Sequence, residues 1–218
     1  MALALFDLDN TLIAGDSDHS WGQFLIDNGY VDAQIYACMN DKFYADYTAG
    51  TLDIYRYLEF SLQFLTTLPR RQLDALHTEF MRTHIAPMQL SKATALLNNH
   101  RNAGDRLVII TSTNRFVVEP ICHALGVKDI LATELIVRNG AYTGEVDGVA
   151  AFREGKVVRL QAWLENNCLS LQGSTFYSDS INDLPLLMAV DIPIAVDPDS
   201  KLRGIASEKK WKVISLRD

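Results

Sequence analysis

Short apolar runs that stop abruptly at polar clusters punctuate the chain. Ala2-Leu-Ala-Leu-Phe6 ends at Asp7 and Asp9, Leu107-Val-Ile-Ile110 ends in Thr111-Ser-Thr-Asn114, and Thr175-Phe-Tyr177 ends in Ser178-Asp-Ser-Ile-Asn-Asp183. Uninterrupted apolar runs of this length read as buried parallel strands rather than half-exposed ones. Ile192-Pro-Ile-Ala-Val196 and Trp211-Lys-Val-Ile-Ser215 predict two more. Between them the period changes to that of helices. Ala93, Leu96 and Leu97 form one face closed by Gly104; Phe116, Val117, Ile121 and Leu125 form another closed by Gly126; Val157, Leu160, Trp163 and Leu164 form a third. Glycine just beyond a helix supplies the left-handed residue that ends it. Strand alternating with helix predicts an α/β fold, a doubly wound parallel (Rossmann-like) sheet with right-handed crossovers.

Two segments break the alternation. Leu135 to Val146 predicts a β-hairpin, because Asn139-Gly140 suits the two left-handed positions of a type I′ turn. From Asp16 to about Pro87 the chain is helix upon helix, with one stripe at Ile54, Leu58, Leu62 and Leu65 and another at Leu73, Leu76 and Phe80, after Pro69 at a helix's first position. This predicts a separate all-helical cap domain over 16–87, inserted into an α/β core made of 1–15 and 88–218.

Composition narrows the partners. Apolar residues make up 48% and charged residues 22% of the 218, a globular balance. A net charge of −7 repels phosphate backbones, so nucleic acid is not an expected partner. No apolar run reaches the length of a membrane span, and Ala2–Phe6 is too short for the core of a signal peptide. The three cysteines, Cys38, Cys122 and Cys168, are too scattered for a disulfide framework or zinc cluster. The expectation is a cytoplasmic protein with no membrane or nucleic-acid partner; the oligomeric state stays open.

The polar strand ends carry the candidate chemistry, since ligands of open α/β sheets bind there. Asp7 and Asp9 stand two apart after the first strand; such close carboxylates repel, so the pair favours a cation or a shared proton. Aspartate can attack phosphorus, and a second acid can protonate the leaving oxygen and then activate water. Asp179 and Asp183 suit Mg²⁺, which takes one or two carboxylates and keeps several waters, although a helix cap would use the same residue types. Thr111, with Ser112 and Thr113, offers hydroxyls and backbone N–H groups to an anion, or else forms an ordinary turn. Lys156 alone reads as a surface charge. No GxGxxG follows the first strand, which disfavours a dinucleotide site.

Taken in order, Asp7-x-Asp9-x-Thr11, Thr111, Lys156 and Asp179-x-x-x-Asp183 resemble the four motifs of the haloacid-dehalogenase-like (HAD) phosphohydrolases. The resemblance spans nearly the whole chain. The helical insert after the first motif is similar to the cap of the phosphoserine-phosphatase-like branch, and Tyr177-Ser-Asp-Ser-Ile-Asn-Asp-Leu-Pro185 resembles its fourth motif, with Ser180 in place of glycine. The resemblance implies Asp7 as nucleophile, Asp9 as general acid/base and backbone ligand of Mg²⁺, Thr111 and Ser112 as phosphate holders, and Lys156 as the neutralising cation. It further implies Asp179 as metal ligand, with Asp183 and Asn182 supporting metal and phosphate. Asp9 separates phosphoester from halide chemistry, because halide needs no proton.

In that branch a glutamate nine positions after the nucleophile holds the substrate ammonium; Asp16 stands there. Aligning Gly50-Thr-Leu-Asp53 with the cap puts Glu59 where the relatives carry a carboxylate-binding arginine, with Arg56 one helical turn away. His19 is placed to line the same pocket, while Trp21 reads as cap core. The expected activity is Mg²⁺-dependent hydrolysis of a small phosphomonoester through an aspartyl-phosphate, the candidates being histidinol phosphate and phosphoserine. The alternatives are a phosphotransferase or mutase using the same aspartyl-phosphate, and a non-catalytic binding protein.

Overall fold

The computed structural model describes residues 2–217. A six-stranded sheet runs in the order β3-β2-β1-β6-β7-β8, and every neighbouring pair is parallel. Its strands are β1 (Leu3–Phe6), β2 (Arg106–Asn114), β3 (Asp129–Thr133), β6 (Thr175–Ser178), β7 (Ile192–Val196) and β8 (Lys212–Ile214). A separate antiparallel pair, β4 (Leu135–Arg138) and β5 (Ala141–Val146), forms the hairpin. Its turn residues Asn139 and Gly140 have φ of 51° and 79°, as a type I′ turn requires. The α/β reading of the sequence therefore stands, with one strand added. Asp129-Ile-Leu-Ala-Thr133 lies at the sheet edge, and of its three apolar residues, Ile130 to Ala132, the middle one is only partly buried.

Strand alternation decides what each face meets. Ala4 and Phe6 pack on one side with α5 (Ser91–Ala103) and α6 (Arg115–Ala124), while Leu3 and Leu5 pack on the other with Leu160 and Leu164 of α7 (Glu154–Asn167). Burying each such leucine stabilises the fold by roughly 1.5–3 kcal/mol. α8 (Leu184–Leu187) and α9 (Ser200–Glu208) complete that second layer.

Between β1 and α5 stand α1 (Ser17–Asp27), α2 (Ala33–Ala49), α3 (Ile54–Ser61) and α4 (Arg70–Phe80), followed by a π-helical turn, Met81–Ile85. Pro69 is the cap residue before α4 rather than its first residue. Part of the helical insert shares its core with the α/β part. Trp21, Phe24, Leu58, Leu62, Leu73 and Phe80 belong to one apolar cluster with Phe6, Ile109 and Phe116 of the α/β part. Trp21, 2% exposed, stacks among Phe24, His77, Phe80 and Phe116. Among the described residues no helix is long and apolar enough to cross a membrane.

Candidate active site

The chain leaves β1 to build the sheet outward in one direction through β2 and β3, and in the other through β6, β7 and β8. The point where that order reverses lies at the C-terminal ends of β1, β2 and β6, and an open crevice forms there. Phe6 is level with Ile109 and with Tyr177, so Asp7 emerges beside Ser178 and its N–H donates to the Tyr177 carbonyl at 2.9 Å. Asp7 falls on the face of Leu3 and Leu5, the face covered by α7, and this is why Lys156 of α7 can reach it.

Lys156 is fully buried, and its Nζ lies 2.8 Å from Asp7 Oδ1 and 2.7 Å from Asp183 Oδ1. Its approach depends on the residue before it. A Cβ on Gly155 would lie 2.0 Å from the Ala150 carbonyl oxygen, so only glycine lets α7 begin this close. Burial opposes the Lys156 charge, but Asp183 and Asp7 more than offset it and raise its pKa above the usual lysine value. Burial raises Asp7 to about 7 against the pull of Lys156, with Asp183 and Asp9 adding repulsion.

After Asp7 the backbone coils tightly. Asn10 adopts a left-handed φ of 55°, and the Leu8 carbonyl accepts from Thr11, Leu12 and Ile13. The coil turns Asp9 back toward the crevice, where its Oδ1 accepts the Ser17 N–H at 2.7 Å and its Oδ2 the Thr113 hydroxyl at 2.9 Å. Thr111 Oγ1 stands 3.5 Å from the same Oδ2. Burial and the nearby Asp16 raise Asp9 to about 6, with the Ser17 and Thr113 donors restraining the shift. Thr11 joins β1 to β6: its hydroxyl donates to Asp179 Oδ1 at 3.1 Å and stands 3.4 Å from Asp7 Oδ2. Burial, Asp7 and Asp183 push Asp179 well above the ordinary carboxylate range.

Asp7 and Asp183 thus share one ammonium, while Asp179, tied to Asp7 through Thr11, has no cation of its own among the described residues. That excess of negative charge, held by a shared threonine at the strand ends, fits a divalent cation between Asp7 and Asp179. Among the described residues no three His, Cys, Asp or Glu side chains form a closed cage. An open set with two carboxylates and a backbone carbonyl suits Mg²⁺, which retains water and leaves positions for phosphate oxygens. Asp183 is differently employed: both its oxygens face Lys156, and Oδ2 also accepts from Ser178 Oγ at 2.7 Å. It holds the lysine from the side opposite Asp7.

The crevice opens into a cleft beneath the helical insert. Asp7, Asp9, Thr111, Ser112 and Thr113 form its floor. β2 runs on through this segment with a register shift before Asn114, and α6 starts only at Arg115, so the hydroxyl cluster sits on an irregular strand end rather than on a helix N-terminus. The walls carry Asp16, Asp18, His19, Asn40 and the rings of Phe43, Tyr44, Tyr47 and Tyr57. Asp16 caps α1 through Oδ1, which accepts from Asp18 N at 3.0 Å and His19 N at 2.8 Å, and burial raises it to about 6. His19 lies at the wall and pairs with Asp41 at 3.0 Å.

Three expected substrate contacts lie elsewhere. Arg56 and Glu59 are exposed and do not line the cleft, because α3 turns Ile54 and Tyr57 inward and the helical period carries positions two residues later to the opposite side. Asn182 spends both ends of its amide across the seam between insert and sheet: Nδ2 donates to the Tyr47 carbonyl at 3.0 Å, and Oδ1 accepts from Arg153 Nε at 3.2 Å. Conversely, Asp18, Tyr57 and Arg153 were not singled out from the sequence. The available signal was the spacing of Asn40, Phe43, Tyr44 and Tyr47 on α2, which places a polar and aromatic stripe on one face of that helix.

The profile of haloacid dehalogenase-like hydrolases matches residues 4–188. The chain belongs to that family. It is 45% identical over 219 residues to a histidinol-phosphatase of Neisseria meningitidis serogroup C (strain 8013), covering 99% of both chains. It is 29% identical over 219 residues to a phosphoserine phosphatase of Mycobacterium tuberculosis (strain ATCC 25618 / H37Rv), covering 99% of this chain and 71% of that one. Among solved structures, a protein of unknown function from Bordetella pertussis Tohama I superposes with a TM-score of 0.93 at 43% identity, over 99% of this chain and 98% of that one. A phosphoserine phosphatase captured as a phospho-aspartyl intermediate analogue gives 0.71 at 19% identity, over 99% and 93%, a likeness of fold. Within the HAD family this chain is a phosphatase, a phosphoric monoester hydrolase.

Proposed function

We propose that this phosphatase hydrolyses a small amine-bearing phosphomonoester in two half-reactions on Asp7, with histidinol phosphate as the first candidate substrate. The observation that carries the reading is the buried Lys156, held between Asp183 and Asp7, with Asp7 itself at the floor of a cleft whose walls are acidic and aromatic. The 45% identity to a histidinol-phosphatase over the full length of both chains supports the choice of substrate.

In the first half-reaction a carboxylate oxygen of Asp7 attacks phosphorus while the bond to the leaving oxygen breaks. Asp9, whose acidity is shifted to about 6, gives its proton to that oxygen, so the alcohol leaves neutral. In the second, Asp9 as carboxylate takes a proton from water as the water oxygen attacks phosphorus. The phosphorus–Asp7 bond breaks, inorganic phosphate departs, and both aspartates return to their starting forms. Lys156 compensates the charge on Asp7 throughout, and the Thr111 and Thr113 hydroxyls stand beside Asp9 where the phosphoryl group would sit. Phosphoryl transfer needs this positioning and charge balance more than elaborate bond chemistry.

Asp7 and Asp179, with the Asp9 carbonyl, would hold Mg²⁺. When bound, the ion supplies positive charge to the phosphoryl oxygens and opposes the carboxylate excess. Asp16, with Oδ1 committed to the helix N-terminus and Oδ2 left over, is the receptor for the substrate's ammonium.

The test is phosphate release from histidinol phosphate, phosphoserine and ethanolamine phosphate, with Mg²⁺ or with EDTA, for wild type and Asp7→Asn. Metal-dependent release that disappears in the variant and is fastest with histidinol phosphate is expected. Equal turnover by Asp7→Asn would remove the nucleophile assignment, and a clear preference for phosphoserine would remove the substrate assignment.

A further inference from the structure

Asp18 is the unexplained charge of the cleft. It is 8% exposed, it lines the same cavity as Asp7 and Asp9, and no cation pairs with it among the described residues. The Tyr57 hydroxyl, in the same cleft wall, favours its charged form. A buried carboxylate without a counter-ion costs several kcal/mol, and a leucine or asparagine at the second position of α1 would cap nothing less and cost nothing comparable. Asp16 already supplies the α1 cap, so helix formation does not require Asp18.

What stands opposite Asp18 is flat and apolar. Tyr57 sits edge-on to Phe43 with ring centres 5.3 Å apart, and Tyr44 lies 4.7 Å from the His19 ring. Phe43, Tyr44 and Tyr47 come from successive turns of α2 and share the cleft with Leu52 and Ile54. Aromatic faces attract cations and stack on planar rings, while a carboxylate accepts N–H donors at charge-assisted strength. A bare alkylammonium would be satisfied by Asp16 alone. A second acceptor beside an aromatic wall calls for a second donor carried on a plane.

We infer that Asp18, oriented by Tyr57, is a specificity-determining residue that accepts an N–H from a planar nitrogen heterocycle in the substrate's leaving group, while Phe43, Tyr44 and Tyr47 contact that ring. The ammonium on Asp16 and the ring on Asp18 then fix the leaving group at two points, with the phosphoryl group on Asp7 as the third. The inference rests on the amine-bearing substrate proposed above and adds the ring as a separate requirement.

Two measurements test it on the full chain. In the first, steady-state kinetics with Mg²⁺ compare histidinol phosphate, which carries ring and ammonium, with ethanolamine phosphate, which carries the ammonium alone, for wild type, Asp18→Asn, Asp18→Glu and Tyr57→Phe. Asp18→Asn should lower the ratio of kcat/KM for the ring-bearing ester over the other about ten- to a hundredfold, the range of a charge-assisted hydrogen bond, mainly through KM. Asp18→Glu should recover part of the loss, and Tyr57→Phe should show a smaller loss of the same sign. In the second, calorimetric titration with histidinol, the dephosphorylated alcohol, reads the ring contact without turnover; wild type should bind it and Asp18→Asn should bind at least tenfold more weakly. A wild type that turns over neither ester but binds histidinol through Asp18 would discard the hydrolysis reading and keep this one. An unchanged selectivity ratio, or equal histidinol affinity in wild type and Asp18→Asn, would overturn it.

Discussion

Lys156 Nζ and Asp7 Oδ1 stand 2.8 Å apart with neither group open to solvent, and Asp183 completes the pair from the other side. A buried ammonium of this kind is safe only while both partners remain. Lys156→Met should therefore leave two buried carboxylates unpaired and destabilise the protein by about 3–5 kcal/mol, with phosphate release falling a hundred- to a thousandfold. Gly155→Ala should imitate part of this from a distance, because its Cβ must displace the Ala150 carbonyl and with it the start of α7. Thermal melts and kcat for the two variants check both claims; a Lys156→Met protein as stable as wild type would contradict the pairing.

The end of α2 is fastened to the α/β part by three donors aimed at carbonyls of its last turn and cap. Asn182 Nδ2 donates to Tyr47, Lys201 Nζ to Ala49 at 2.7 Å, and Arg153 to Gly50. Cationic donors suit a helix C-terminus, where carbonyls lack partners and the dipole is negative. These contacts hold the aromatic wall over Asp7. Asn182→Ala and Lys201→Ala should each cost about 1 kcal/mol or less of stability and raise KM several-fold more than they lower kcat. A change confined to kcat would place Asn182 with the chemistry instead.

Divalent-ion binding can be read apart from turnover. Mg²⁺ that binds only the native state must raise the melting temperature by an amount that grows with the logarithm of its concentration over its dissociation constant. We expect Mg²⁺ to stabilise wild type and to lose most of that effect in Asp179→Asn, whose carboxylate faces the ion position beside Asp7. Asp183→Asn should instead disturb Lys156 and lower stability both with and without Mg²⁺. If Asp183→Asn abolished the Mg²⁺ shift while Asp179→Asn retained it, the two roles would be exchanged.

Much of this site was legible because its residues follow strand ends. Asp7, Asp9, Thr111 and Asp179 are each announced by an apolar run, and the sheet's order then brings those ends together. Lys156 was recognisable only from the ordered motif set, since nothing local in Arg153-Glu-Gly-Lys156 marks burial; its environment comes from α7 covering the face of Leu3 and Leu5. The insert was the harder part. Arg56 and Glu59 were placed by aligning a short segment, and a helix displaced by two residues in such an alignment presents its other face. Asn182 sits inside a motif that names it for the active site, yet both of its amide ends are taken by the seam to α2. β3 is marked only by the short run Ile130 to Ala132, which no polar cluster like those after β1, β2 and β6 follows.

Asp18 also makes stability depend on pH in a direction that can be worked out. Burial, opposed by the Tyr57 hydroxyl and assisted by the Asp9 charge, raises it from an ordinary 3.8 to about 7 in the folded protein. The folded state therefore holds the proton more tightly than the unfolded chain. The resulting stabilisation is fully present below about pH 4 and is lost as pH rises through about 7, on the order of 4 kcal/mol across that window. Asp16 and Asp9, each raised to about 6, act in the same direction, so wild type should melt higher at pH 5.5 than at pH 8 in Mg²⁺-free buffer. Asp18→Asn removes its own share, and the difference between the two melting temperatures should shrink by several degrees, at about 2–4 °C for each kcal/mol in a chain of this size. An equal difference in both proteins would mean that the folded state holds the Asp18 proton no differently from the unfolded chain between the two pH values, and would contradict its raised pKa.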